Sequence, residues 1–188
     1  MKKGFSLVEL LISLVIFFFV LFALQGLFST VWTTQFRALA MKKLADNTRT
    51  TLEIMGREMR LASGDPSTCA GMGGEIFKVG GLGKSIKFKD FSGRCVIYEL
   101  QGTTLEKGIN DETDCNGMAC EAFLGGSKIR LTNLNFQVIA DPPPPPNPTR
   151  QPRIIINMTV ETDDPTAQNQ KLTIALETMV SQRELNVP

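Results

Sequence analysis

The fold is decided by residues 2–32, which read KKGFSLVELLISLVIFFFVLFALQGLFSTVW. The stretch from Leu10 to Leu24 is apolar except for Ser13, and the apolar character continues with small polar interruptions to Trp32. As a helix, a run of this length can span the hydrocarbon core of a bilayer, which is about 30 Å thick. Two lysines precede the run, so the positive-inside rule predicts a cytoplasmic N-terminus with the rest of the chain across the membrane.

The end of the run does not resemble the end of a secretory signal peptide. Such a peptide is shorter and finishes in small residues, whereas this run ends at Trp32, Gln35 and Phe36. We therefore expect the apolar segment to be retained. Glu9 places a carboxylate at the edge of this segment, at a cost of up to about 2.5 to 3.5 kcal/mol at the membrane centre and less near an end. It is either a side chain that reaches back to water or a group that needs a partner.

The decapeptide from Lys2 to Leu11, KKGFSLVELL, resembles the processing site of type IV prepilins and type II secretion pseudopilins. In that family a membrane peptidase cuts after the glycine and methylates the new N-terminal residue. The resemblance implies cleavage between Gly4 and Phe5 and N-methylation of Phe5. It also implies an assembly role for Glu9, the fifth residue of the mature chain. The peptidase, other major and minor pilins or pseudopilins, and the bacterial inner membrane are the implied partners.

After the apolar run, the pattern becomes that of an amphipathic helix. Apolar and small residues recur at steps of three and four while charged residues take the other sides. The recurring positions are Met41, Leu44, Thr48, Leu52, Met55, Met59 and Ala62. The stop signal Gly64-Asp65-Pro66 predicts one helix from about Phe5 to about Ala62, which would be roughly 85 Å long.

The remaining chain has the period of two that is typical of strands. Strands are predicted around 86–88, 96–100, 129–138, 154–160 and 172–180, with turns between them. The absence of another long helical pattern predicts antiparallel connections and a sheet packed on the helix, an α+β fold of the type IV pilin-like kind. We predict a leader at 1–4, a transmembrane and assembly half of the helix at 5–32, its amphipathic half at 33–63 and a β-rich periplasmic or extracellular domain at 64–188. The proline run Pro142–Pro146 predicts a stiff polyproline II excursion at a hairpin end.

All four cysteines follow the apolar segment, so they share one compartment, which we expect to be oxidising. Their spacing contains no C-x-x-C pair, which favours disulfides over a structural zinc site. Three connectivities are possible. We favour Cys69 with Cys95, which ties the helix exit to a strand, and Cys115 with Cys120, which closes a small loop.

Composition argues against several other functions. Lys plus Arg is 20 and Asp plus Glu is 19, so the chain lacks the basic excess typical of nucleic-acid binding. Histidine is absent, which removes the commonest general base and metal ligand. We expect no enzyme activity, no catalytic residue, no cofactor, no metal and no small-molecule substrate.

Two local motifs are weak. Gly83-Lys84-Ser85 matches the end of a phosphate-binding loop, but the first glycine of that motif is replaced by Lys78 and a strand pattern follows. The acidic residues Asp111, Glu112 and Asp114 could surround calcium, which some pseudopilins bind, although a solvated turn is the simpler interpretation.

The later segments resemble W-type minor pilins and J-type minor pseudopilins. The segments that carry this resemblance are 86–88, 95–100, 102–105, 131–138 and 172–183. It implies a structural subunit of a type IV pilus or type II secretion filament that takes part in a priming or tip complex; a major pilin is the nearest competitor. The alternative is a single-pass membrane-anchored binding module, for adhesion or DNA uptake, that does not polymerise.

Overall fold

The computed structural model describes residues 6–63, 69–109, 115, 120–125, 128–139, 152–163, 165 and 170–183. Within these residues, one helix is followed by eight strands, with a short 3-10 turn at Gly81–Gly83. The elements are α1 (Leu7–Arg60), β1 (Phe77–Gly80), β2 (Ser85–Lys89), β3 (Cys95–Gln101), β4 (Thr104–Ile109), β5 (Cys120–Leu124), β6 (Ile129–Ile139), β7 (Arg153–Asp163) and β8 (Lys171–Ser181).

The helix α1 is 54 residues long and unbroken, since no proline occurs before Pro66. It follows Ser6, which has extended backbone geometry, and it ends at Arg60; the backbone N–H of the C-cap residue Leu61 donates to the carbonyl oxygens of Arg57 and Glu58. The predicted single long helix is therefore confirmed, and its end lies two residues before the expected position.

The surroundings of α1 change along its length. Its side chains are exposed as far as Leu39, and a buried stripe begins at Leu44. The buried positions are Leu44, Thr48, Thr51, Leu52, Met55, Gly56 and Met59. The predicted stripe is confirmed except at Met41, which is only half-buried because it lies at the edge of the domain.

The strands are antiparallel and follow the long helix, which confirms the predicted α+β fold, and they form two sheets where the sequence analysis described one. The larger sheet has the order β1-β2-β3-β4-β5 and the smaller has the order β6-β7-β8. The predicted strands are all present. The sequence pattern did not predict the short strand β1, nor β4 and β5, whose pairing contains a register shift between Leu105 and Glu106. Such an irregularity disturbs the alternation on which strand prediction depends.

The core lies between α1 and the sheets. Alternate residues of β7, from Ile154 to Val160, are fully buried because β7 is paired on both edges and packs against the helix. In the larger sheet the rings of Phe88 and Tyr98 are 6.2 Å apart, and Tyr98 lies 5.3 Å from Phe123. These large rings supply much of the apolar area that the domain removes from water.

Both sheets also bond to the C-terminal end of α1. The Ser63 N–H donates to the Lys89 carbonyl oxygen at 2.8 Å, at the end of β2. Beyond β8, the Gln182 amide donates to the Ala62 carbonyl oxygen and the Arg183 N–H to the Arg60 carbonyl oxygen, each at 2.9 Å. The two bonds from beyond β8 satisfy carbonyl groups that a helix end otherwise leaves without partners.

The cysteines are paired in two disulfides. Cys69 is joined to Cys95 with their Cα atoms 5.7 Å apart, and Cys115 to Cys120 with their Cα atoms 5.4 Å apart. These are the pairings favoured from the sequence. The first bridge, together with Met72, forms a small buried cluster separate from the main core, so it holds the segment that follows the helix against β3.

The two bridges should contribute unequally to stability, because one closes 26 residues and the other five. In the chain-entropy model, the longer loop stabilises by about 3 to 4 kcal/mol and the shorter by about 2 kcal/mol. We expect the double variant Cys69→Ser, Cys95→Ser to lose more unfolding free energy than Cys115→Ser, Cys120→Ser, as measured by urea denaturation. Equal losses, or a greater loss from the short loop, would contradict this account.

Candidate membrane-anchoring and assembly site

The first described turn of α1 holds the one acidic side chain of its membrane-facing half. Glu9 is the third residue of the helix, and its backbone N–H donates to the Ser6 carbonyl oxygen at 3.1 Å. A carboxylate is favourable here because the positive end of the helix dipole lies at the N-terminus. Ser6 and Glu9 also have the spacing of a capping box, although no side-chain cap bond from Ser6 is present. The pattern of Ser6 followed by Glu9 marks the start of the helix, and the prediction of a start at about Phe5 did not use it.

The apolar side chains that follow Glu9 face away from the domain. The helix is long and apolar enough to cross a membrane, and its most apolar window has no buried residue. About 37 residues separate Leu7 from Leu44, the first buried position, which corresponds to roughly 56 Å of helix. The apolar part of this uncovered helix, from Leu7 to Trp32, needs lipid or another protein around it, since exposed apolar patches of this extent are rare in soluble monomers.

The remaining sequence-predicted positions are distributed as follows. Gly4 and Phe5 lie outside the described residues, as do the acidic residues at 111–114 and the proline run at 142–146. The cysteines belong to the β domain and Glu9 to the opposite end of the helix, so the structure does not bring these groups together. The candidate site is therefore a continuous helical surface rather than a pocket.

Two possible ligand-binding motifs are explained by the fold. Gly83-Lys84-Ser85 leads from the 3-10 turn directly into β2, so no helix N-terminus is available there to hold a phosphate. Glu106 lies near Cys115 and Cys120, with ligand atoms within 4.8 Å of one another. Because the two sulfurs are joined to each other, neither can serve as a thiolate metal ligand.

One polar cluster fixes the helix to the larger sheet. The Glu58 carboxylate accepts hydrogen bonds from the Tyr98 hydroxyl and from Lys107 Nζ, each at 2.6 Å. Lys107 Nζ also lies 5.5 Å from the centre of the Tyr98 ring and 5.7 Å from that of Phe123. The Lys107 and Glu58 side chains are only 19% and 29% exposed, so their ion pair is stronger than a fully solvated one.

The same cluster holds Tyr98 in its neutral form. Burial raises the pKa of the Tyr98 phenol well above its ordinary value, and the hydrogen bond to Glu58 and the charge of Glu58 raise it further. Tyrosine ionises near pH 10 in an unfolded chain. The contribution of this group to stability is therefore fully present below about pH 10 and is lost as the pH rises beyond that value.

The comparison with protein families matches the segment in which Glu9 lies. A family model described as a prokaryotic N-terminal methylation motif matches residues 1–24. The start of the chain thus matches an N-terminal methylation motif. This match supports a type IV pilin-like protein. No curated protein and no solved structure matches the chain.

We expect Glu58→Gln to lower the unfolding free energy by about 1 to 3 kcal/mol, because it leaves the partly buried Lys107 without its anion. Chemical denaturation of the full chain in detergent would measure this loss. Glu53→Gln is the matched control. Glu53 pairs with Arg49 on the exposed side of the same helix, where both side chains are more than two-thirds solvent-accessible, so its loss should cost about 0.5 kcal/mol or less. Equal effects of the two variants would show that the Glu58 cluster has no special role.

Proposed function

We propose that this chain is a structural subunit of a type IV pilus or type II secretion filament that assembles through α1. The observation that carries the proposal is the N-terminal methylation motif at 1–24, which includes the first turns of a long helix whose N-terminal half the domain leaves uncovered. Prepilin peptidase and other pilins are the partners that such a motif implies. Within this class, we propose a minor pilin or minor pseudopilin that belongs to a priming or tip complex.

The uncovered half of α1 is suited to two successive environments, first lipid and then the helices of other subunits. Before assembly, the leader 1–4 is removed and the helix stays in the inner membrane, with its N-terminus on the cytoplasmic side and the β domain in the periplasm. During assembly, the same apolar surface exchanges lipid for the helices of neighbouring subunits. Because lipid tails and apolar side chains provide similar surroundings, apolar burial contributes little to the choice between these states.

A charge pair provides the preference for the assembled state. In a bundle of parallel helices, the free amine of Phe5 in one subunit can lie beside the Glu9 carboxylate of its neighbour. Each charge is expensive without the other in an apolar bundle, and together they neutralise one another. Docking is then favoured over separate subunits in the membrane.

The first test concerns maturation. We expect the native N-terminus to be a methylated Phe5; removal of Met1 to Gly4 takes away two lysines and changes the formal charge from +1 to −1. Mass spectrometry of protein purified from cells with an active prepilin peptidase would measure both changes. Gly4→Val, which puts a branched side chain directly before the cut, should retain the leader. Recovery of wild-type protein with Met1 intact would contradict the proposal.

The second test concerns Glu9. Glu9→Ala leaves the Phe5 amine unpaired, a loss of about 3 to 5 kcal/mol for a fully buried pair and less where water reaches it. The variant should be cleaved, inserted in the membrane and folded, because Glu9 lies far from the domain, yet it should be absent from sheared filaments and from complexes with partner subunits. Glu53→Ala is the control. It removes an exposed carboxylate from the half of the same helix that packs on the domain, and it should assemble normally. Normal assembly of Glu9→Ala would leave Glu9 with no role beyond that of an anchor residue.

A further inference from the structure

Three aromatic side chains form a ladder on the bare part of α1. Phe28, Trp32 and Phe36 follow one another at intervals of one helical turn. The ring centroids of Phe28 and Trp32 are 5.9 Å apart, and those of Trp32 and Phe36 are 5.3 Å apart. The three residues are 68%, 54% and 43% exposed, respectively. The ladder is therefore a regular surface that the protein's own domain does not cover.

The hydroxyl groups within these turns are already satisfied inside the helix. The hydroxyls of Ser29 and Thr30 donate to the Gly26 carbonyl oxygen, at 3.0 and 3.1 Å. Those of Thr33 and Thr34 donate to the Thr30 carbonyl oxygen, at 3.0 and 2.8 Å. The segment thus combines an aromatic stripe with hydroxyl groups that tolerate a partly dehydrated environment. Tryptophan is enriched where lipid tails meet headgroups, because its ring is apolar and its one N–H group can donate a hydrogen bond to water or to a headgroup.

The position of the ladder along the helix also matches a membrane boundary. Trp32 lies 23 residues beyond Glu9, which corresponds to about 35 Å of helix. The hydrocarbon core is about 30 Å thick, so residues this far apart lie at opposite headgroup regions. Charged side chains return to the helix only after the ladder, beginning with Arg37. The largely apolar segment between Glu9 and Trp32 therefore has the length needed to cross the hydrocarbon core.

We propose that Phe28, Trp32 and Phe36 are an interfacial anchor, which binds the headgroup region of the bilayer on the domain side and fixes the depth of α1. The anchor holds the Glu9 carboxylate at the opposite headgroup region, where it remains hydrated until a neighbouring subunit takes it up. The inference rests on membrane insertion of α1, which the proposed function also requires. It does not depend on filament assembly.

The chain contains one tryptophan, so the fluorescence of the unmodified protein reports on Trp32 alone. The full chain would be reconstituted at high dilution in phosphatidylcholine vesicles that carry bromine atoms at shallow or deep positions of the acyl chains. We expect a blue-shifted emission that shallow bromines quench most strongly. Strongest quenching by deep bromines, or an emission typical of water, would overturn the proposal. So would a blue-shifted emission that bromine does not quench at any depth, because another copy of the protein would then cover the ladder.

Two variants that move the tryptophan calibrate the depth. Trp32→Phe combined with Phe22→Trp places the ring ten residues, or about 15 Å, nearer the bilayer centre. It should be quenched most strongly by deep bromines. Trp32→Phe combined with Leu39→Trp places the ring seven residues, or about 10 Å, further out, and it should emit as in water. If both variants and the wild-type protein gave the same quenching profile, the helix would not cross the bilayer in one register and the proposal would fail.

A series of bilayer thicknesses separates an anchor from a residue that only happens to lie at the boundary. We expect Trp32 to keep its depth below the headgroups as the acyl chains lengthen, because the whole ladder holds it there. With Phe28→Ala and Phe36→Ala, the depth of Trp32 should drift with thickness. Equal drift in wild type and variant would overturn the anchoring role. Vesicles contain no filament, so failure of the Glu9 experiment would leave this result unchanged.

Discussion

One continuous helix has to satisfy two different surroundings, and the rest of the structure follows from this constraint. From Leu10 to Leu24, α1 presents almost only apolar side chains outward, which suits lipid or other helices, and the domain leaves the helix uncovered as far as Leu39. From Leu44 it buries only one stripe, so the domain needs to cover only one side. The two sheets meet this requirement together, since the smaller packs on the stripe and the larger is joined to the helix through Glu58.

The long helix and most strands could be predicted because their signals are local and repeat many times. The recurrence from Leu44 to Met59 spans several turns, and the alternation in β7 and β8 extends over eleven residues each. The strands β4 and β5 are shorter, half-exposed and irregular in register, so their alternation is weak. The division into two sheets depends on which strands pair across the fold, and a single sequence carries little information about that choice.

The candidate site shows the same contrast. Glu9 and the basic leader could be recognised because the motif is contained within the first residues of the chain. The Glu58 cluster could not, since its partners Tyr98 and Lys107 are 40 and 49 residues away in sequence. On a helix with many charged residues, Glu58 has no local feature that distinguishes it from Glu53. The two carboxylates differ only because β3 and β4 pack against α1 at Glu58, whereas Glu53 faces solvent.

The attachment of β8 to the end of α1 has a mechanical consequence. The residues that follow β8 bond to the last carbonyl groups of the helix, and Val180 packs directly over Gly56. Part of a pulling force on α1 therefore enters the smaller sheet at the C-terminal end of β8, besides the part carried by the chain that follows the helix. Because β8 lies alongside the helix, the load acts along the strand and is shared by the whole β7–β8 ladder in shear. A domain suspended in this way resists tension better than one whose strands would peel apart bond by bond.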